Sequence, residues 1–560
     1  MASESKWARS RVHWIDKLAD EVEEKLRSRG GKDAYVFNGG LSVSGAQHIG
    51  RLRGEVILVE TLRRILEGRG LKVKQYLTLY TQDPWKGKES QRRAFPDPEG
   101  ARRYTGWPLV RVPDPQGCHE NWVEHYWSDF GPYLGEFTDG RIEVVKTHEL
   151  YAGPLGDFAL LSVRLRDKVR SVINKYRGRK PYPEGWIPVE ARCGRCGRID
   201  TTEALEVDEA GRRVRYRCRN CGHEGWAPLG DTKLNWRLEW VGVWRILSVD
   251  FEPYGKDHAT PGGSRDSCVD LAVNVFGFQP PAGTWYEWVA MRVDGREMDM
   301  TSSGFVSITP REWLEVAHPQ ILRFLYLYHK PQRKIVIDMA EIPNYYEMYY
   351  KAERVYFGVD TTGSDEEDAY LARTYELSHP KGAPPERLPS QPPYAHTAIL
   401  AQIIPGELLP GEALRRLQLT GHLSRDPDRY SLEWAESLVE RAGRWARRYA
   451  PQRLRISIPE TIPRQALEGI ESPERLARLA SVLESLEEWS ETSIKEALTR
   501  FGEGMTGRER RRFYRDLYLA LLGRPEGPRA APLLSLLPKE WVVERLRSVA
   551  SGLLEDRGGE

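Results

Sequence analysis

Tyr35-Val36-Phe37-Asn38-Gly39-Gly40-Leu41-Ser42-Val43-Ser44-Gly45-Ala46-Gln47-His48-Ile49-Gly50 is the stretch on which the fold turns. Its apolar opening, Tyr35 to Phe37, reads as a short core strand. Asn38 to Gly45, rich in Gly and Ser, reads as a turn. From Gly50 to Glu67 the apolar residues Leu52, Val56, Val59, Leu62 and Leu66 recur on one helical face, and Val73 to Leu79 reads as the next strand. A strand, a glycine loop, a helix and a second strand in that order open a doubly wound α/β sheet. Glycines ahead of a helix N-terminus let backbone approach a phosphate, and a histidine in the first turn can donate to a phosphate oxygen. The same loop also fits a tight turn with no ligand.

Outward from this unit, residues 6–29 read as an amphipathic helix leading into the first strand. Residues 84–140 are rich in Pro, Gly and Trp and read as an irregular insertion. Residues 186–228 form a second, Cys-rich insertion, and 231–300 return to α/β character. Residues 380–393 carry six prolines and read as a linker. From about 395 the pattern is helical. Leu432, Ala435, Leu438, Val439, Ala442, Trp445 and Tyr449 form one stripe, and Ser472-Pro473-Glu474 reads as a helix start with Ser as N-cap.

The 560 residues exceed the roughly 250–300 that one core serves, so several domains are expected. With 40% apolar and 29% charged residues and no apolar run of about 18, a membrane span is not expected. The first 30 residues lack the apolar core of a secretion signal, so a soluble, cytoplasmic monomer is the expectation. The net charge of +2 leaves any nucleic-acid contact to local patches. Four of six cysteines form two Cys-x-x-Cys pairs, Cys193/Cys196 and Cys218/Cys221. Four thiolates at this spacing fit tetrahedral, structural Zn²⁺. A second cluster, Asp114, Cys118, His119 and His125, has ligand types that suit zinc. Cys268 stands alone and reads as a small buried side chain.

Ser44-Gly45-Ala46-Gln47-His48-Ile49-Gly50 resembles the HIGH signature of class I aminoacyl-tRNA synthetases, with Arg51 in place of the last His. His13-Trp14, Gly255-Lys256-Asp257-His258, Tyr345 to Gly358 and Leu517 to Arg529 resemble the class I lysyl-tRNA synthetases. The likeness spans most of the chain and is weakest over 371–430. It implies a Rossmann-like catalytic domain over 1–310 with two zinc-binding insertions, a connecting region over 311–394, and an all-α anticodon-binding domain over 395–560. It implies ATP-dependent attachment of lysine to tRNA(Lys) through a lysyl adenylate, with Mg²⁺ on the ATP. ATP would contact Ser44, Gly45, His48, Gly50, Gly255, Asp257, Met300, Ser302 and Ser303, with His48 catalytic. Asp257 also fits a helix N-cap. Lysine would lie among Gly40, Ser42, Trp236, His258 and Tyr286, although Trp236 and Tyr286 also fit as core aromatics among 18 Trp and 26 Tyr. The family's metal-binding residues fall on the Asp114 cluster, making a second zinc part of the expectation.

One segment departs from the family. The second class I signature, Lys-Met-Ser-Lys-Ser, is matched by Asp299-Met300-Thr301-Ser302-Ser303-Gly304-Phe305, in which neither lysine remains. Arg296, Arg292 or Lys256 could supply the lost charge, and Arg296, on the same stretch, is the expected catalytic cation, with Asp299 turned away from the phosphates. Arg508, Arg510, Arg511, Arg512 and Arg515, with Phe513 and Tyr514, could contact anticodon bases or form a solvated helix face with Phe513 in the core. The competing functions are a class I synthetase for glutamate or arginine, a non-catalytic tRNA-binding paralogue, and a nucleotidyltransferase of the same superfamily.

Overall fold

The computed structural model describes residues 5–178 and 180–558, which form two compact units. The first takes the chain as far as Trp313, together with Pro319–Asp338 and Ala352–Pro384. The second takes Leu314–His318, Met339–Lys351 and Pro385 onward. The connecting stretch read from the sequence is thus shared between the units.

In the first unit, β1 (Tyr35–Leu41), β2 (Val73–Leu79) and β3 (Ile142–Lys146) run parallel in the order β1-β2-β3, with Tyr35 opposite Val73 and Leu79 opposite Lys146. On the other side of β1, Phe37 bridges Phe251, and Phe251 bridges Ala282, both in parallel. The parallel order is therefore that of a Rossmann half, with the chain reversing its direction of build-out at β1. The crevice between the ends of β1 and the Phe251 segment is where such sheets bind ligands, and the glycine loop lies there. Buried residues occupy most of β1 and β2, as expected for strands covered on both faces, whereas β3 exposes Glu143 and Val144 at the edge.

The strand from Tyr35 is longer than its apolar opening suggested. Asn38, Gly39 and Gly40 belong to β1, and the turn begins only after Leu41. The reason lies in the helix running Gly50–Gly68, which crosses β1 at backbone distance. A Cβ on Gly39 would lie 2.3 Å from the Glu55 carbonyl oxygen. Leu52, Val56, Val59, Leu62 and Leu66 are all buried, and over Arg53–Leu58 the helix widens to π geometry. Single π turns inside α-helices cluster at functional sites. The N-terminal helix is broken into Lys6–Arg9 and Trp14–Ser28, because the His13 side chain accepts the Ile15 N–H and caps the second piece.

The Cys-rich insertion lies between β4 (Val189–Ala191) and β8 (Thr232–Leu234), an antiparallel pair. It is a three-stranded antiparallel sheet of β5 (Thr202–Asp208), β6 (Arg213–Cys218) and β7 (Glu224–Pro228). Farther on, β9 (Tyr254–Gly255) pairs with β10 (Trp285–Tyr286), and β11 (Val289–Val293) pairs with both β12 (Arg296–Asp299) and β13 (Ile335–Ile337).

The second unit is helical among its described residues. Helix Tyr394–Ile403 packs on Arg429–Arg448, whose stripe from Ala435 to Trp445 is buried as its periodicity indicated. Trp434 stacks on His318, with ring centres 3.7 Å apart. Helix Pro473–Glu484 starts with Pro at its first turn, but the Ser472 side chain makes no capping bond; its N–H donates instead to Asp516 at 2.9 Å. Phe513 is buried in the core, which favours a packing role for that ring.

Gly39→Ala forces β1 and the helix apart and is expected to lower stability by about 1–3 kcal/mol. Gly31, with nothing within 4 Å of an added Cβ, supplies the control: urea midpoints should fall for Gly39→Ala and stay at wild type for Gly31→Ala.

Candidate active site

At the crossing of β1 and the π-widened turn, glycines leave room for a buried carboxylate. A Cβ on Gly54 would lie 2.3 Å from the Tyr286 ring, so that ring lies flat against helix backbone. The Tyr286 hydroxyl donates to Glu55 Oε1, and the Gly40 N–H donates to Glu55 Oε2 at 2.9 Å. Burial pushes the Glu55 carboxyl up to about 7 despite these two donors. The group is thus poised between neutral and ionised near pH 7, beside the end of β1.

A second buried carboxylate organises the wall of the crevice. Glu252 accepts from Asn38 Nδ2 (3.0 Å), Trp240 Nε1 (2.8 Å) and Trp244 Nε1 (2.9 Å). Burial raises its pKa as well, and the three donors oppose the shift. Trp240 lies beside Trp236 and against His258, at ring-centre separations of 6.5 and 5.2 Å. Trp236 is 36% exposed, so it is not a closed core aromatic. His258 keeps a buried Nδ1 with no hydrogen-bond partner among the described residues, as does the Tyr80 hydroxyl, whose ring abuts Gly40. Gly40, Trp236, His258 and Tyr286 therefore line one region. Ser42 is half-buried on the turn that leaves β1.

The glycine loop meets the 299–305 segment. A Cβ on Gly45 would lie 2.3 Å from the Ser302 carbonyl oxygen, so the two segments touch backbone to backbone. His48 is buried beside Gly50, with an unpartnered Nδ1. Burial, with the Arg51 charge, pulls its pKa down to about 3, so the imidazole is neutral at pH 7 and offers one N–H. Met300 and Ser302 are buried, and the Ser302 hydroxyl has no hydrogen-bond partner among the described residues. Gly255 sits on β9, and Asp257 follows in a short 3₁₀ turn with an exposed carboxylate that makes no capping bond.

The first insertion grips both segments. Gln91 Nε2 donates to the Ser44 carbonyl at 2.8 Å, Ser90 Oγ to the Ser303 carbonyl at 2.6 Å, and Lys88 Nζ to Ser303 Oγ at 2.9 Å. Tyr126 packs edge-on against Phe305. Lys88 is therefore a cation on the segment that lost its two lysines. The other candidates are placed differently. Lys256 pairs with Glu287 at 2.7 Å and Arg292 approaches Asp338 at 3.7 Å. Arg296 is exposed at the tip of the β11–β12 hairpin, next to the Asp294-Gly295 turn. The Asp299 carboxylate is paired with Lys334 at 2.8 Å.

The two cysteine pairs form matching knuckles. The Cys193 N–H donates to the Arg198 carbonyl, as the Cys218 N–H does to the His223 carbonyl, and the Gly197 and Gly222 N–H groups donate back to the Cys193 and Cys218 carbonyls. Both glycines have left-handed φ, +75° and +72°, which the tight knuckle requires. The four Sγ atoms lie within 4.8 Å of one another, with Cys193–Cys221 at 3.6 Å and Cys196–Cys218 at 3.7 Å. Asp114, Cys118, His119 and His125 converge in the same way: Cys118 Sγ is 3.1 Å from His119 Nδ1, and Asp114 Oδ1 is 2.9 Å from His125 Nδ1. Burial raises the Asp114 pKa, but the Gln116 and His119 N–H donors outweigh it and hold the carboxyl at about 2. Cys268 is buried, as read from the sequence.

Residues 12–381 match the family described as tRNA synthetases class I (K), and residues 459–550 match an anticodon binding domain. A lysine–tRNA ligase of Aeropyrum pernix is 63% identical, over 98% of this chain and 99% of that one. The chain belongs to the archaeal-type class I lysyl-tRNA synthetases. A second lysine–tRNA ligase, from Pyrococcus horikoshii, is 34% identical over 96% of this chain and 99% of that one. A glutamate tRNA ligase structure from Elizabethkingia meningosepticum covers 93% of this chain and 99% of that one, at 11% identity and a TM-score of 0.37. Membership of this family does not favour the readings as a synthetase for another amino acid or a non-catalytic paralogue. No described helix is long and apolar enough to cross a membrane.

Sequence reasoning missed Glu55, Glu252 and Lys88. Glu55 carried a readable signal, a carboxylate about two turns after His48 on a helix otherwise buried by its apolar face. Lys88 carried none, because an irregular insertion does not reveal where its side chains reach.

The Glu55 carboxyl has an ordinary value of 4.5 and stands at about 7 when folded. An acid with a raised folded pKa stabilises fully below 4.5, and that contribution is lost as pH rises through about 7. The ligand-free protein should lose at most on the order of 3 kcal/mol from this group over that window. Urea midpoints against pH should show a shallower decline in Glu55→Gln; superimposable profiles would mean that Glu55 titrates as an exposed acid.

Proposed function

We propose that this protein attaches lysine to tRNA(Lys) in two steps at one site, and the observation that carries the reading is the buried Glu55–Tyr286 pair beside the phosphate loop. A buried carboxylate and a phenol suit an ammonium and reject a carboxylate side chain, which distinguishes lysine from glutamate. In this reading Glu55 takes the side-chain ammonium of lysine, with Tyr286 holding the carboxylate in place. Gly40 and Ser42 flank the amino acid at the end of β1, and Trp236 and His258 wall it off.

The lysine carboxylate then attacks the α-phosphorus of ATP in line, the bond to the bridging oxygen breaks, and pyrophosphate leaves. Positioning and positive charge carry this step. Ser44, Gly45, His48 and Gly50 hold the phosphates, with neutral His48 donating one N–H. Gly255 and Asp257 take the adenosine ribose, and Met300, Ser302 and Ser303 close over the nucleotide. Mg²⁺ with ATP supplies charge neutralisation at the phosphates. A terminal tRNA hydroxyl next attacks the carbonyl carbon and AMP departs. Residues 395–560 read the anticodon.

Zn²⁺ fits the four-cysteine site, whose closed tetrahedron of soft donors leaves no position for water. The Asp114 cluster, with one thiol, two imidazoles and a carboxylate, fits a second zinc. A cytoplasmic monomer is consistent with tRNA as substrate.

Pyrophosphate exchange should depend on lysine and not on glutamate or arginine. In Glu55→Gln the lysine KM should rise about ten- to a hundredfold, the loss of a charge-assisted hydrogen bond, with the ATP KM unchanged. Exchange driven by another amino acid, or none at all, would overturn the reading.

Lys88 and Arg296 are separate candidates for the missing signature lysines, and the hydrogen bond to Ser303 favours Lys88. Removing one charge-stabilising donor slows a step about a hundred- to a thousandfold. Lys88→Ala should slow adenylate formation on that scale in single-turnover assays, and Arg296→Ala by less. The reverse order assigns the role to Arg296.

A further inference from the structure

The helical unit brings together three side chains that none of the chemistry above uses. His396 lies in the first turn of helix Tyr394–Ile403 and is 6% exposed. Its Nε2 is buried and has no hydrogen-bond partner among the described residues. A buried imidazole nitrogen left in this way is costly unless something supplies a partner.

His422 faces it. This residue follows helix Gly411–Leu419, and the chain reaches it through Gly421, whose φ of +75° turns the loop back. The His422 N–H donates to the Leu417 carbonyl at 2.9 Å, fixing the loop against the helix end. Its ring meets that of His396 edge-on, with centres 4.4 Å apart. The third member is Glu491, the first residue of helix Glu491–Phe501, where Ser490 caps the helix and leaves the Glu491 side chain free to turn inward. Glu491 Oε2 is 4.0 Å from His422 Nε2, too far for a hydrogen bond. One ligand atom from each of the three residues lies within 4.8 Å of the other two.

We propose that His396, His422 and Glu491 form a metal site in the helical unit, taking a divalent transition-metal ion, with Zn²⁺ the best fit. Two imidazoles and one carboxylate are a borderline donor set that suits Zn²⁺, whereas Mg²⁺ and Ca²⁺ favour oxygen ligands throughout. Bonds of about 2.0–2.2 Å in a tetrahedron require ligand atoms a little over ~3 Å apart. The present separations close to that value with a small rotation of His422 and Glu491, which are 26% and 41% exposed and have room to move. Three protein ligands leave at least one position open on the solvent side, for water or an oxygen donor. The ion gives the orphaned His396 nitrogen a partner. It also ties together three elements that are remote in sequence, two of them before residue 459 and one inside the segment that matches an anticodon binding domain.

The absence of a thiol separates this site from the two cysteine-containing clusters and gives it its own signature. Co²⁺ in a nitrogen–oxygen site shows visible ligand-field bands without the near-ultraviolet thiolate charge transfer that cysteine sites produce. The test uses the full-length protein, given only enough Zn²⁺ to fill the two cysteine-containing clusters, about two equivalents per chain, and then titrated with Co²⁺ alone, together with metal analysis per chain. His422→Ala and Glu491→Gln are the variants, since both side chains are partly exposed and the fold should tolerate their change. The wild type is expected to hold about one metal equivalent more than His422→Ala, and to show visible cobalt bands that His422→Ala lacks while thiolate bands are equal in both. Glu491→Gln should bind the same ion at least about tenfold more weakly. Equal metal content and equal cobalt spectra across the three proteins would overturn the proposal, as would a wild type that gains no visible band.

Discussion

The approach of β1 to the helix Gly50–Gly68 at backbone distance is the constraint on which the rest of the site depends. Gly39 against the Glu55 carbonyl and Gly54 against the Tyr286 ring leave no room for a side chain at either position. That closeness forces the helix to widen over Arg53–Leu58 and aims the Glu55 side chain back at the Gly40 N–H. A buried acid is expensive on its own. Here its two donors come from elements that the glycines have already brought together, so the acid is held where a cationic ligand can use it. Glu252 repeats the arrangement on the other side of β1, with two indole N–H groups and Asn38 as donors.

Much of this architecture was legible in the sequence because it follows from periodicity. The helix stripe from Leu52 to Leu66, the strand Val73–Leu79 and the Ala435 to Trp445 part of the stripe read over Leu432 to Tyr449 each face a core, and apolar spacing reports a core directly. The knuckles were legible for a different reason: thiolate geometry fixes the Cys-x-x-Cys spacing, and a Gly follows each second cysteine at a left-handed position. The end of β1 was not legible. Asn38-Gly39-Gly40 has the composition of a turn, and only the helix lying on it shows why glycine serves in a strand there.

What the sequence could not show is reach. Trp236, His258 and Tyr286 were singled out through resemblance, and Trp236 and His258 lie together, with ring centres 5.8 Å apart. Lys88, Ser90 and Gln91 belong to an insertion without a repeating pattern, and their distances to Ser44 and Ser303 come from the tertiary path of the chain. The same holds for Lys334, which neutralises the aspartate that stood out as repulsive in the 299–305 segment. Local sequence showed the loss of two lysines; it could not show that cations from residues 88 and 334 would come to the same segment.

The insertions have one more consequence. Trp107 Nε1 donates to the Cys196 carbonyl at 2.8 Å, and the Ile199 N–H donates to the Gly106 carbonyl at 2.7 Å, so the first insertion is hydrogen-bonded to a cysteine knuckle. The first insertion in turn holds the glycine loop and the 299–305 segment through Gln91, Ser90 and Lys88, and His125 of its own cluster packs against Tyr126, which meets Phe305. The glycine loop and the 299–305 segment are thus held from outside the parallel sheet, by an insertion packed round Trp85 and Trp122. Damage confined to the insertions, such as oxidation of a thiol or a nick in an irregular loop, would leave the parallel sheet paired while releasing the hydrogen bonds on Ser44 and Ser303.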